Sequence, residues 1–316
     1  MSTLAAAADE YLRVRRALGY KLERQGRQLL QFIAYLDAVG ATTVTIEHAI
    51  GWATLPAGAT GGYWSDRLSV VRQFARYLQT IDPACEVPAK GLLPYRRERP
   101  IPFLFTPADI ERVMRAARQL RGELHAATTQ TLIGLMAVTG IRVGEAIGLG
   151  RDDIDHRGQL IRVIDGKFGK SREVAVHETT IAALDSYAEV RDRVCPRPRC
   201  EAFFLSRNGT RLRYQCVHRV FTRLVVAAGL EDRSPRSRPR PHSLRHSFAV
   251  NTLRDWYAND LDVQARLPLL TTHLGHVTPA STYYYLTAAP DLLALAARRL
   301  EPTPERTPDE QPGTDA

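Results

Sequence analysis

Four separated stretches of this chain hold side chains able to work on a phosphate ester. "TGIRVGEAIGL" (Thr139 to Leu149) sets Arg142 and Glu145 three residues apart, so that on a helix they share a face. "QLIRVIDGKFGKSREVAVH" (Gln159 to His177) carries Lys167 in a glycine-containing turn, with Lys170 close behind. "HSLRHSFAV" (His242 to Val250) repeats the three-residue spacing with His242 and Arg245. "TTHLGHVTPASTYYYLT" (Thr271 to Thr287) supplies His276 and three consecutive tyrosines, Tyr283, Tyr284 and Tyr285.

Arginines, a lysine, histidines and a tyrosine, without a carboxylate cluster to hold Mg²⁺, are what metal-free attack on a phosphodiester needs. Arg142 and Arg245 can clamp the non-bridging oxygens and offset the charge that develops there. Lys167 can protonate a leaving alkoxide. His242 can accept a phenolic proton, because a tyrosine with pKa near ~10 is a weak nucleophile at neutral pH unless a base or a cationic field assists it. Each piece alone also has an ordinary use. Arg142 with Glu145 can be a surface ion pair, Lys167 a solvated turn residue, and the tyrosine run core or interface packing.

Composition agrees with a polyanionic partner. The 316 residues carry a formal net charge of +9 and a pI of about 9.6, with arginine well ahead of lysine. Charge of this sign favours nucleic acid and does not separate DNA from RNA or anionic lipid. The longest apolar run, around "TLIGLMAVTG", falls short of the roughly 20 residues that span a bilayer. The N-terminus places its acidic pair before its basic residues, the reverse of a secretory signal, so a cytoplasmic location is expected. Cys85, Cys195, Cys200 and Cys216 form no paired framework, and Cys195, Cys200, Cys216 and His218 follow no ribbon or finger spacing. No metal and no other cofactor is expected.

These residues need a scaffold, and the patterning is mainly helical with a small β-sheet. Leu29, Phe32, Ile33 and Leu36, followed by Gly40 as a stop, and then Leu68, Val71, Ala75 and Leu78, predict two helices of an N-terminal bundle over residues 1–88. On the later helix Arg67, Arg72 and Arg76 take other faces, either solvated or touching phosphates. "PAKGLLPYRRERPIP", with four prolines and the basic Arg96 and Arg97, predicts a linker over 89–104. A second domain then opens at "FTPADIERV", with Thr106 as N-cap, Pro107 at the first helical position and Asp109 in the first turn. It continues through an apolar helix at Leu132 to Ala137 and a hairpin within Gln159 to His177. Further helices are broken by the loop "EDRSPRSRPRPH", whose Arg236, Arg238 and Arg240 are candidate phosphate contacts. Pro290, Leu292, Leu293, Leu295, Ala296 and Leu300 predict a short apolar helix, and residues 301–316 a disordered tail.

Taken together and in this order, the four stretches resemble the tyrosine recombinase (phage integrase) family, from about residue 3 to residue 300. The resemblance implies an N-terminal helical core-binding domain and a mixed α/β catalytic domain over 105–300, clamped around duplex DNA. Residue by residue, Arg142 looks like the first catalytic arginine, Glu145 the bracing acid and Lys167 the hairpin lysine, with Lys170 its rival. His242 and Arg245 look like the His-x-x-Arg pair, and His276 the histidine of the Leu-Gly-His segment. The family's nucleophile follows that histidine by nine positions, which is Tyr285. Helical residues point about 100° apart, so only one of three adjacent tyrosines can face a given phosphate, and Tyr283 and Tyr284 become packing residues.

The implied activity is site-specific DNA recombination through a 3′-phosphotyrosyl intermediate, for integration or excision of a mobile element. A homotetramer on DNA is implied at synapsis, with the apolar helix after Pro290 either closing its own core or docking into a neighbour. Sister recombinases or accessory DNA-bending proteins are possible partners. The rivals are a relaxing enzyme of the type IB topoisomerase kind and a DNA-binding protein without catalysis.

Overall fold

The computed structural model describes residues 3–94, 102–164, 171–230, 237–276, 278 and 282–285. The chain divides into two compact units, at Arg99 and Pro100.

The first unit is helical: α1 (Thr3–Ala17), α2 (Glu23–Ala38), α3 (Ile46–Thr54) and α4 (Gly61–Leu78). The apolar stripe of α2 is buried as its spacing requires, with Leu29, Phe32 and Leu36 fully enclosed, and Leu68, Val71, Ala75 and Leu78 do the same on α4. Phe32 packs on Trp52 of α3, with ring centroids 5.2 Å apart, at the centre of this core. Thr45 and Thr60 cap α3 and α4 by accepting the backbone N–H three residues on.

In the second unit α5 (Pro107–Arg118) begins where the sequence says it should. Thr106 Oγ1 accepts the Asp109 N–H at 3.1 Å and the Asp109 carboxylate accepts the Thr106 N–H at 2.9 Å, a reciprocal capping box with proline at the first helical position. It packs on α6 (Glu123–Thr139), which ends at Gly140 in the left-handed conformation (φ +62°). Then come the short α7 (Val143–Gly148) and a three-stranded antiparallel sheet: β1 (Ile154–Asp155), β2 (Leu160–Val163) and β3 (Arg172–Ala175). The expected hairpin is β2 with β3, in register Leu160 to Ala175 and Val163 to Arg172. The extra strand β1 was not legible, because two residues carry no alternation. The turn between β2 and β3, with Lys167 and Lys170, lies outside the described residues.

Three helices follow: α8 (Glu178–Val194), α9 (Tyr214–Ala227) and α10 (Pro241–Ala258). The arginine- and proline-rich loop was expected to run through His242, but Pro241 starts α10, so His242 is already helical. After it, α11 (Val263–Leu274) ends at Gly275 (φ +63°), and residues 282–285 form one further helical turn. A core of Phe105, Leu132, Ile161, Phe204 and Phe221 joins α5, α6, the sheet and α9. A smaller one joins α10 and α11 and includes Tyr285.

Candidate active site

Arg142 is the N-cap of α7, and Glu145 is the third residue of that helix. The pair meets through cap geometry instead of lying on one helical face: the Glu145 carboxylate accepts the Arg142 backbone N–H at 2.9 Å, and its Oε1 accepts the guanidinium at 2.6 Å. A second arm of Arg142 donates to the Gly275 carbonyl at 3.1 Å. The loop between α6 and α7 is thereby tied to the end of α11.

Arg245, on α10, is only 2% exposed, and donates to the Gly140 carbonyl at 2.8 Å and the Leu274 carbonyl at 2.6 Å. Both acceptors are carbonyls at helix C-termini, where backbone dipoles leave partial negative charge. Burial pushes its pKa down to about 10, so it stays charged at neutral pH. Its positive charge also acts on the Tyr285 phenol.

Tyr285 is 2% exposed, with its ring stacked 5.9 Å from His276 and edge-on 5.4 Å from His246. Burial raises its phenol above the ordinary value, while the positive charges of Arg245 and Arg142 pull the other way. Tyr284 is half-buried against His246 and Tyr285, as a packing residue should be. Tyr283 differs from that expectation: it is 53% exposed, since one helical turn can bury only one side.

His276 Nδ1 lies 2.8 Å from the Thr282 hydroxyl. Burial first, then the charges of Arg245, Arg142 and His242, push its pKa down to about 4. His242 is exposed at the start of α10, its ring 4.7 Å from that of His246. Arg142, His242, Arg245, His276 and Tyr285 therefore form one electrostatic group. Among the described residues, no three His, Cys, Asp or Glu side chains converge as a metal-binding group.

Three contributors were not legible as such. Arg172 on β3 donates to both oxygens of Glu145, at 3.1 and 2.8 Å, and to the His273 carbonyl at 2.8 Å. His246 and Thr282 pack under Tyr285 and His276. All three are unremarkable residue types in stretches already noticed, and only long-range contact gives them meaning.

The tentative phosphate contacts divide. Arg67 and Arg72 turn inward, contrary to both expectations for that helix. Arg67 stacks 3.6 Å over the Trp52 ring and donates to the Trp52 carbonyl at 2.7 Å; Arg72 donates to the Pro88 and Ala89 carbonyls at 2.7 and 2.9 Å. Their stems complete the core and their heads satisfy backbone carbonyls, those of Trp52 and Pro88 buried, so neither faces a partner. Arg76, Arg238 and Arg240 are exposed. Arg96, Arg97 and Arg236 lie outside the described residues, as does the apolar helix expected after Pro290.

Cationic groups gathered around a single phenol suit an enzyme that breaks and rejoins nucleic-acid strands, and comparison with known proteins gives that class a family. The chain belongs to the Phage integrase family, whose model matches residues 104–291. It is a tyrosine-type site-specific DNA recombinase. A Sinorhizobium fredii protein, y4rB, that carries an integrase/recombinase name is 40% identical over 307 residues, covering 95% of this chain and 98% of that protein. The tyrosine recombinase XerC of Alcanivorax borkumensis is 28% identical over 229 residues, covering 72% of this chain and 69% of its own. In fold, the Tn1549 transposon integrase in complex with transposon right-end DNA is similar at a TM-score of 0.65 and 17% identity, covering 93% of this chain and 99% of that one.

Proposed function

We propose that Tyr285 is the nucleophile of the recombination reaction. Its oxygen attacks a phosphorus of one DNA strand, a 3′-phosphotyrosyl bond forms, and the bond to the 5′-oxygen breaks. The 5′-hydroxyl of a partner duplex reverses the step, so the bond energy is retained in the ester. The observation that carries this reading is the placement of the Tyr285 ring, buried between the rings of His276 and His246, within the positive field of Arg245 and Arg142.

The remaining groups divide the work. Arg142 and Arg245 clamp the non-bridging oxygens, His242 takes the phenolic proton, and Lys167 returns one to the departing 5′-oxygen. His276, neutral at pH 7, borders the phosphate. At 2% exposure the Tyr285 ring has to shift before its oxygen meets a phosphate. Arg76, Arg238 and Arg240 are exposed and suit backbone contacts. No described helix is long and apolar enough to cross a membrane. The protein acts in the cytoplasm as four copies on two duplexes, with accessory DNA-bending proteins or sister recombinases where the site demands them. The similarity to the y4rB integrase/recombinase and to the Tn1549 transposon integrase fold favours a mobile element as its substrate.

The test is a nicked suicide substrate carrying the recombination site, in EDTA, with wild type and the Tyr283→Phe, Tyr284→Phe and Tyr285→Phe variants. A denaturation-resistant protein–DNA adduct that only Tyr285→Phe abolishes supports the assignment. Loss with another tyrosine moves the nucleophile. No adduct on well-bound DNA leaves a binding protein, and relaxation of supercoiled DNA without synapsis would favour a topoisomerase-like activity.

A further inference from the structure

Arg172 stands at the end of β3, outside the set of residues that would touch the phosphate. Its side chain is 10% exposed, and its guanidinium uses three nitrogens on three acceptors. Two are the oxygens of Glu145, whose side chain is 6% exposed, and the third is the His273 carbonyl in the last turn of α11. The fork also fills the space beside Gly275, where an added Cβ would lie 2.9 Å from its Nη1. Gly275 is the residue whose carbonyl holds Arg142. Three elements thus meet at one side chain: the hairpin strand, the α7 cap and the turn at the end of α11.

We infer that Arg172 is a positioning residue for cleavage, whose forked guanidinium shares Glu145 with Arg142 and so sets the pose and the available charge of Arg142 at the scissile phosphate. The inference rests on the tyrosine-nucleophile reading. The physical reason is competition for one carboxylate. Glu145 Oε1 accepts from Arg142 at 2.6 Å and from Arg172 at 3.1 Å, so its charge is divided between two cations. Without Arg172 the carboxylate pairs with Arg142 alone, and Arg142 presents less field to an incoming anion. A lysine cannot replace the fork, because a single ammonium does not span both carboxylate oxygens and a carbonyl on a third side.

The experiment compares single-turnover cleavage by wild type, Arg172→Ala and Arg172→Lys on two suicide substrates. One has an ordinary scissile phosphodiester and the other a methylphosphonate, which lacks the negative charge and so asks less of the arginine clamp. Arg172→Ala is expected to slow phosphodiester cleavage roughly 10- to 100-fold, as loss of groups that orient a charged ligand does. DNA affinity is expected to stay near wild type. The deficit relative to wild type shrinks to about threefold or less on the methylphosphonate. Arg172→Lys stays closer to alanine than to wild type. Equal deficits on both substrates, restoration by lysine, or loss of cleavage that only tracks a fall in Tm would overturn the inference. If wild type itself forms no adduct through Tyr285, the nucleophile assignment fails and this inference falls with it; an adduct at wild-type rate with Arg172→Ala overturns this inference alone.

Discussion

His276 and Thr282 are joined by a 2.8 Å contact between ring Nδ1 and hydroxyl, and the same hydroxyl lies 3.0 Å from that of Thr271, which reaches the Leu267 carbonyl at 2.8 Å. One proton per bond satisfies the whole chain in a single direction: His276 Nδ1–H to Thr282, Thr282 to Thr271, Thr271 to Leu267. The neutral imidazole then presents Nε2 as an acceptor. The threonines therefore choose the tautomer of a residue whose ring stacks on that of Tyr285.

Thr282→Val tests this directly, because it keeps the shape and removes the hydroxyl. Cleavage is expected to fall about tenfold through misorientation of His276, with a stability loss of about 1 kcal/mol for the lost bonds of a fully buried group. Single-turnover adduct formation and urea unfolding separate the two effects. Unchanged cleavage would show that the chain is only structural.

Acid should weaken the fold before any carboxylate titrates. Burial first, then His242, Arg245 and His276, push His246 down to about 3, and His276 lies at about 4. Both are neutral in the fold, whereas an unfolded histidine protonates near ~6.5. Their contribution is complete above that pH and declines as pH falls toward the folded values. For the more deeply buried His246 the cost is up to about 1.4 kcal/mol per pH unit over that window, and for the partly exposed His276 it is smaller. Glu145 enters later: its burial is outweighed by hydrogen bonds from Arg172 and Arg142, which hold it at about 2, so its share is lost only below the unfolded value near ~4.5. His246→Phe is expected to flatten the loss of stability between pH 7 and pH 5, measured by urea midpoints, and an unaltered slope would count against it.

Two glycines, both with left-handed backbone, should resist substitution and differ in what an added Cβ meets. At Gly140 the backbone is left-handed and a Cβ would lie 2.5 Å from Phe248, so Gly140→Ala is expected to cost roughly 2–4 kcal/mol of stability. At Gly275 the backbone is left-handed too (φ +63°), and a Cβ would lie 2.9 Å from the guanidinium of Arg172, which three hydrogen bonds hold in place. Gly275→Ala should therefore lose cleavage as well as stability. Denaturation midpoints beside cleavage rates measure both.

The arginines of α4 should separate stability from DNA binding. Arg72→Ala is expected to lower stability by about 1–3 kcal/mol, because it leaves the buried Pro88 carbonyl unpaired and removes a second bond to Ala89. It should leave the salt dependence of DNA binding unchanged. Arg76→Ala should leave stability within about 0.5 kcal/mol and reduce the salt slope by about 1 if that side chain meets a phosphate. Titrations at several salt concentrations distinguish the two.

Much of this was legible in the chain. The apolar stripes of α2 and α4, the Thr106 cap and the β2–β3 pairing follow from local rules acting over a few residues, and each is found as expected. The candidate site was legible as a set of types and spacings, and the comparisons bear out the family to which those motifs point. The burial of Arg67 and Arg72 was not legible, because charged residues on a helix usually face water and only the carbonyls of a distant segment make burial favourable.

The residue types and their order determined the class of chemistry: a phenol, two arginines and the histidines that flank them appear in the sequence whatever the fold. Tertiary structure alone decided which groups share a charge. Arg172 lies 27 positions from Glu145 and 101 from His273, and Arg245 lies 105 from Gly140. Hydrogen bonds depend on separation in space, and no local pattern of spacing encodes contacts made across such lengths of chain.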